Sequence, residues 1–137
     1  MSELPVGPTV EETIQHLRDE FPDAVVLVIE DAAFLSMDDS HWPNFATVVW
    51  SDRHDDGAPA QLDRAGVFRL NFSLTPQEFK RRVGDVSDPD YAAFDTLLPH
   101  PTYGKQRWVG IVNPSRATFD GVALPLIRAA HDRLAGN

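Results

Sequence analysis

"GVFRLNFSLTPQEFKRRVG", residues 66 to 84, sets a strand pattern directly before a helix pattern. Val67, Arg69, Asn71 and Ser73 alternate with Phe68, Leu70, Phe72 and Leu74, so the first half is a strand with one apolar and one polar face. At Thr75 the pattern changes. Thr75 is placed to cap a helix, Pro76 takes its first position, Glu78 stands third as a capping-box partner, and Gly84 stops it.

Working outward, "FATVVWSD" (45 to 52) and "RWVGIV" (107 to 112) read as further strands, the latter closed by Asn113-Pro114. "AVVLVIE" (24 to 30) is β-branched and continuous, which predicts a strand buried on both faces, with "AAFLSM" as its hairpin return. "RHDDGAPAQLDRA" (53 to 65) is polar and turn-rich, and is expected to be an exposed loop. "DVSDPDYAAFD" (85 to 95) is a loop or a broken helix. "TVEETIQHLRDEF" carries a second capping box, Thr9 with Glu12, and an apolar stripe of Val10, Ile14, Leu17 and Phe21, ended by Pro22. A last helix carries Val122, Leu126, Ala130 and Leu134 on one stripe, and Pro125 means that it starts late or kinks. The order predicts a single α+β domain: an antiparallel sheet of four or five strands with an N-terminal, a middle and a C-terminal helix. The crossover through the middle helix leaves room for one parallel strand.

Composition bounds function. A chain of 137 residues buries enough surface to hold a core unaided. It has no cysteine, which excludes disulfides, thiolate nucleophiles and Cys-based zinc sites. The opening "MSELPVGPTVEE" lacks the basic start and apolar segment of a signal peptide, and no apolar run reaches the ~20 residues of a membrane span. A cytoplasmic protein without membrane contact is expected. Residues 1 to 66 carry 14 acidic against 3 basic side chains, residues 67 to 137 carry 7 against 9. The acidic half repels phosphate backbones and counts against nucleic acid as a partner.

"FATVVWSDRHDDGAPAQLDRAGVFRLNFSLTPQEF", "DTLLPHPTYGKQRWVGIVNPS" and "LIRAAHDRL" resemble segments of a bacterial family of unknown function, domain-of-unknown-function family 6194. The likeness covers about residues 45 to 135 and implies a fold with no assigned activity. More distantly, the order of elements is similar to MmcQ/YjbR-like proteins, with "RLNF" and "RWVGIVNP" in the matching places. That likeness implies a double-wing fold for which DNA binding has been suggested.

Three groups of residues have the chemistry to form a site. Pro99 and Pro101 stiffen the segment around His100, and Tyr-Gly (103, 104) turns the chain into the Trp108 strand. On the functional reading His100, Tyr103 and Trp108 line a pocket mouth with Arg69, Asn71 and Asn113. His100 and Tyr103 are then the catalytic candidates, and Asp95 the nearest acid to orient the imidazole. On the structural reading Trp108 is core and His100 bonds the backbone. Asp52, His54 and Asp56 at i, i+2 and i+4 are weak metal candidates, as are Asp38, Asp39 and His41 in "MDDSHWPN". The bland alternative there is a turn that tucks Trp42 over the sheet edge. "KRR" (80 to 82) suits a helix C-terminus and, with Lys105, Arg107, Arg116 and Arg128, an anion patch.

No GxSxG, P-loop, GxGxxG or kinase signature is present, so no cofactor is expected. Three functions stand at this point. The first is a non-catalytic module that binds a small molecule or protein. The second is a cofactor-independent enzyme with His100 as general base and Tyr103, Arg69 or Asn71 holding an oxyanion. The third is a nucleic-acid binder using the basic second half. The oligomeric state is left open.

Overall fold

The computed structural model describes residues 4–40 and 42–136. Its elements are α1 (Val10–Glu20), β1 (Val25–Ile29), β2 (Ala32–Ser36), β3 (Asn44–Val49), β4 (Arg69–Ser73), α2 (Pro76–Val83), β5 (Leu97–Pro99), β6 (Trp108–Val112), α3 (Arg116–Thr118) and α4 (Leu124–Leu134). Six strands form one sheet in the order β1-β2-β3-β4-β6-β5, and every ladder is antiparallel. The fold is α+β, with one strand more than the patterns predict. The extra strand is β5, a three-residue piece at the sheet edge, where Pro99 can sit without disturbing a central ladder. The crossover through α2 runs β4 and β5 in the same direction, but β6 lies between them and pairs with both. Parallel contact is limited to the isolated bridge Phe94–Val112.

One face of the sheet carries the main core. Leu35, Val48, Leu70, Phe72, Val109 and Ile111 pack there against Leu17 and Phe21 from α1 and against Phe119, Ile127 and Ala130 from the C-terminal helical segment. The predicted capping box at Thr9 forms in full, with Glu12 N–H on Thr9 Oγ1 at 3.1 Å and Thr9 N–H on Glu12 Oε1 at 3.0 Å. The one at Thr75 forms by half: Thr75 accepts from Glu78 N–H, while the Glu78 carboxylate turns to Arg81 and Arg82. The α-helix carrying Pro125 starts late, at Leu124, so Val122 of the predicted stripe lies before it. Between α3 and α4 the chain widens into a π-helical turn (Phe119–Ala123), with Leu124 N–H on Phe119 O, and Pro125 follows as the second residue of α4. No helix among the described residues is long and apolar enough to cross a membrane.

Two sequence expectations are corrected. β1 is an edge strand, not a strand buried on both faces, and Val28 and Ile29 are half exposed. Its apolar run comes from β-branched content and says nothing about the number of neighbours. The stretch 53 to 65 is not simply exposed. Ala60 and Leu62 are fully buried and join Ala32, Val49, Val67 and Val112 in a small second core on the opposite face of the sheet. This loop, together with the segment around His100, partly roofs that second face.

Candidate functional site

The second sheet face has a polar centre. Register places Thr47, Asn71 and Gly110 side by side on β3, β4 and β6, with Arg69 two residues along. Gly110 makes the arrangement possible, because a Cβ there would stand 2.7 Å from Asn71 Oδ1 and 2.8 Å from Arg69 Cδ. Arg69 lies over this gap. Its Nε donates to Asn71 Oδ1 (2.7 Å), and Asn71 Nδ2 donates to Thr47 Oγ1 (3.0 Å). Its Nη1 and Nη2 donate to the two oxygens of Asp55 at 2.9 and 3.2 Å, a bidentate pair whose side chains are 3% and 1% exposed.

Asp55 reaches this position because the loop before it is stapled. Ser51 caps a single 3₁₀ turn (Asp52–His54). The Asp52 carboxylate accepts from Leu62 and Asp63 N–H at 2.7 and 3.1 Å, and His54 Nε2 donates to Glu30 O at 2.6 Å. The residues proposed as metal ligands are therefore occupied in shaping the loop, with Asp56 exposed. Among the described residues no group of three or more His, Asp and Glu is placed to hold a metal ion. Asp38 accepts from Ser40 N–H, and His41 lies outside the described residues.

His100 meets both the backbone and the cavity. Its own N–H donates to Trp108 O, and the turn that follows brings the N–H groups of Thr102 and Tyr103 onto Nδ1, each at 3.0 Å. Nδ1 therefore carries the lone pair and Nε2 the proton. Nε2 stands 3.3 Å from Arg69 Nη2. Two donors thus stand beside one another, and among the described residues they share no acceptor. Burial first, and the Arg69 guanidinium second, push the imidazole down to about 4 against an opposing pull from Asp55, so His100 is neutral at physiological pH. Tyr103 lies over the ring, with centroids 5.0 Å apart.

These groups sit at one end of a cavity of about 550 Å³. Phe34, Val49 and Trp108 form its apolar walls, and Trp42 and Tyr103 stand at the rim, 72% and 53% exposed. Trp42 is not tucked over the sheet edge. Asn44, further along β3, lines the same cavity with a buried Oδ1 that has no hydrogen-bond partner among the described residues. A larger, more open groove of about 970 Å³ runs between the N-terminal segment, α1 and the loop carrying Arg53 and Arg64. Asn113 borders that groove and not the His100 cavity. It adopts a left-handed φ of 46°, its Oδ1 accepts from Phe68 N–H, and its Nδ2 donates to Gly66 O, so the amide is spent on closing the β4–β6 end.

With the geometry in place, comparison with known proteins adds one match. A family model described as a family of unknown function, DUF6194, matches residues 8–136. The chain belongs to this family. Membership thus extends from α1 to the end of α4, beyond the residues 45 to 135 that carry the resemblance in sequence. No curated protein and no solved structure matches it.

In this DUF6194 chain the structure brings together His100, Tyr103, Arg69, Asn71 and Trp108, and sets Asn113 and Asp95 apart. Asp95 does not orient His100. It accepts from Ser115 N–H at 2.8 Å. Burial raises its carboxyl, but bonds from Ser115 and Thr118 outweigh this and leave it below the usual carboxylate range. Asp55, Thr47 and Asn44 escape the sequence reading. Only Asp55 leaves a signal there, since an arginine between apolar residues of a strand calls for a carboxylate. Of the predicted basic patch, Arg81 and Arg82 hold Glu78, and Arg128 holds Glu20.

Proposed function

We propose that this protein is a binding module that holds a small molecule in the cavity beside His100 and carries out no chemistry on it. The carrying observation is the pair of donors, His100 Nε2–H and Arg69 Nη2–H, 3.3 Å apart with no acceptor shared between them among the described residues. A ligand atom with a lone pair would satisfy both, and the apolar walls would take the rest of the molecule. Thr47, having accepted from Asn71, retains a hydroxyl proton to donate at the same surface.

The same geometry argues against His100 as a general base. Its lone pair at Nδ1 is held by two backbone N–H groups, and the nitrogen facing the cavity already carries the proton. The acidic partners of Arg81, Arg82 and Arg128 favour a small molecule over duplex DNA.

The test is a set of small aromatic compounds, each with one acceptor group, followed by the indole resonances of Trp42 and Trp108 and the imidazole nitrogens of His100. Binding should shift all three and should weaken at least about tenfold in His100→Phe, the consequence of leaving one buried donor unmatched. Turnover of a compound that His100→Ala abolishes in a folded protein would overturn the reading. So would the absence of any shift at the three residues.

A further inference from the structure

The cavity's balance of charge narrows its ligand. Arg69 is the cation at the inner end, and both Asp55 oxygens already hold it. The acceptor atom that would satisfy His100 and Arg69 would therefore sit against a guanidinium whose charge is matched. A carboxylate or phosphate placed there would bring a second anion to the outer edge of the same guanidinium, away from water, without a cation of its own. A cation would face the N–H groups of His100 and Arg69 head on. Resting on the binding reading above, we infer that the ligand class is an uncharged, flat molecule with a carbonyl oxygen, an aromatic ketone, amide or lactam, whose oxygen takes both protons. The aromatic wall and rim residues Phe34, Trp108, Trp42 and Tyr103 match a flat body, and the neutral imidazole of His100 adds no charge to the site. Asn44 Oδ1, without a partner among the described residues, gives such a molecule room for one N–H at the far end of the cavity.

Three probes of nearly the same shape separate the alternatives: acetophenone (neutral carbonyl), benzoate (anion) and cumene (no acceptor). Affinities come from titrations of the Trp108 and His100 resonances. Acetophenone should bind at least about tenfold tighter than either of the others, the equivalent of one buried donor gaining or losing its partner. In Asp55→Asn the guanidinium loses its counter-charge, so benzoate should gain at least about tenfold relative to acetophenone. Should that variant fail to fold, the wild-type ranking alone decides. Benzoate binding as tightly as acetophenone in the wild type, or an unchanged ranking in a folded Asp55→Asn, would overturn the uncharged class and leave the binding reading standing. Cumene matching acetophenone, or no probe shifting Trp108 and His100, would overturn both.

Discussion

Replacing Asp55 by Asn keeps the size and two-pronged shape of the side chain but removes the only carboxylate that touches Arg69 among the described residues. Both side chains of the pair are almost fully buried, and their bonds are 2.9 and 3.2 Å long. The variant thus holds an unmatched guanidinium at the centre of the second sheet face. Breaking a buried pair from one side typically costs about 3–5 kcal/mol, against a total stability of about 5–15 kcal/mol for a domain. With a urea slope of about 2 kcal/mol/M, a loss near 4 kcal/mol lowers the unfolding midpoint by about 2 M. Arg69→Met should cost as much, because it strands the Asp55 carboxylate and also takes the donor from Asn71 Oδ1. The combined Asp55→Asn, Arg69→Met variant removes both charges at once and should cost less than the two singles together by about 1–3 kcal/mol. It does not return to wild type, since Asn71 still lacks its donor. Urea melts of the four proteins, read by tryptophan fluorescence, measure every term. Single variants that each cost under about 1 kcal/mol, or a double that adds up simply, would show that the pair does not hold the loop to the sheet.

Further outcomes follow from the histidines and from Gly110. His100 falls from 6.5 unfolded to about 4 folded, so the unfolded chain takes up its proton first. The stability this group contributes is whole above pH 6.5 and drains away as pH falls toward 4, by about 3 kcal/mol in all, and His100→Asn should remove that slope from pH-dependent melts. His131 behaves oppositely. Burial lowers it, but bonds to Asp132 and Asp23 outweigh this and raise it, so its contribution is whole below pH 6.5 and is lost as pH rises through the folded value; a flat profile in His131→Gln over that window is the check. Gly110→Ala pushes a methyl group against Asn71 and Arg69 and should lower stability by about 1–3 kcal/mol, measured by thermal melts, while the His100 resonances move as Arg69 is displaced.

The parts of the fold that could be read in advance are those where one residue pattern serves one partner. Phe68, Leu70 and Phe72 face the main core, while Arg69 and Asn71 face the other way, and the change to helical spacing at Thr75 needs nothing distant to explain it. β5 escapes such a reading because three residues containing a proline have no period. β1 misleads for a different reason. "VVLVI" is as apolar as a central strand, yet its place at the sheet edge is decided by the two-residue turn at Glu30 and Asp31, both at positive φ, and by how many strands follow. Local composition carries no record of that count.

The candidate site divides along the same line. His100, Arg69 and Trp108 stand out in sequence because each is chemically conspicuous on a strand or beside prolines. Asp55 does not, since it is one of three acids crowded with a histidine into six residues of loop. Spacing along an extended chain selects Asp52, His54 and Asp56. A single 3₁₀ turn, held by the Asp52 carboxylate and the His54 ring, instead presents the residue just after it to the sheet. The deciding constraint is energetic and lies elsewhere. Arg69 is anchored on a central strand, flanked by Phe68 and Leu70, and cannot leave the interior without turning β4 over, which would bury Asn71 and Ser73 in the main core. The fold must therefore bring a carboxylate to Arg69, and the acid-rich loop is the neighbour in sequence that can supply one. That pairing neutralises the floor of the cavity, and His100 meets it as an uncharged donor, so the polar strand that shaped the fold also sets the chemistry a ligand must match.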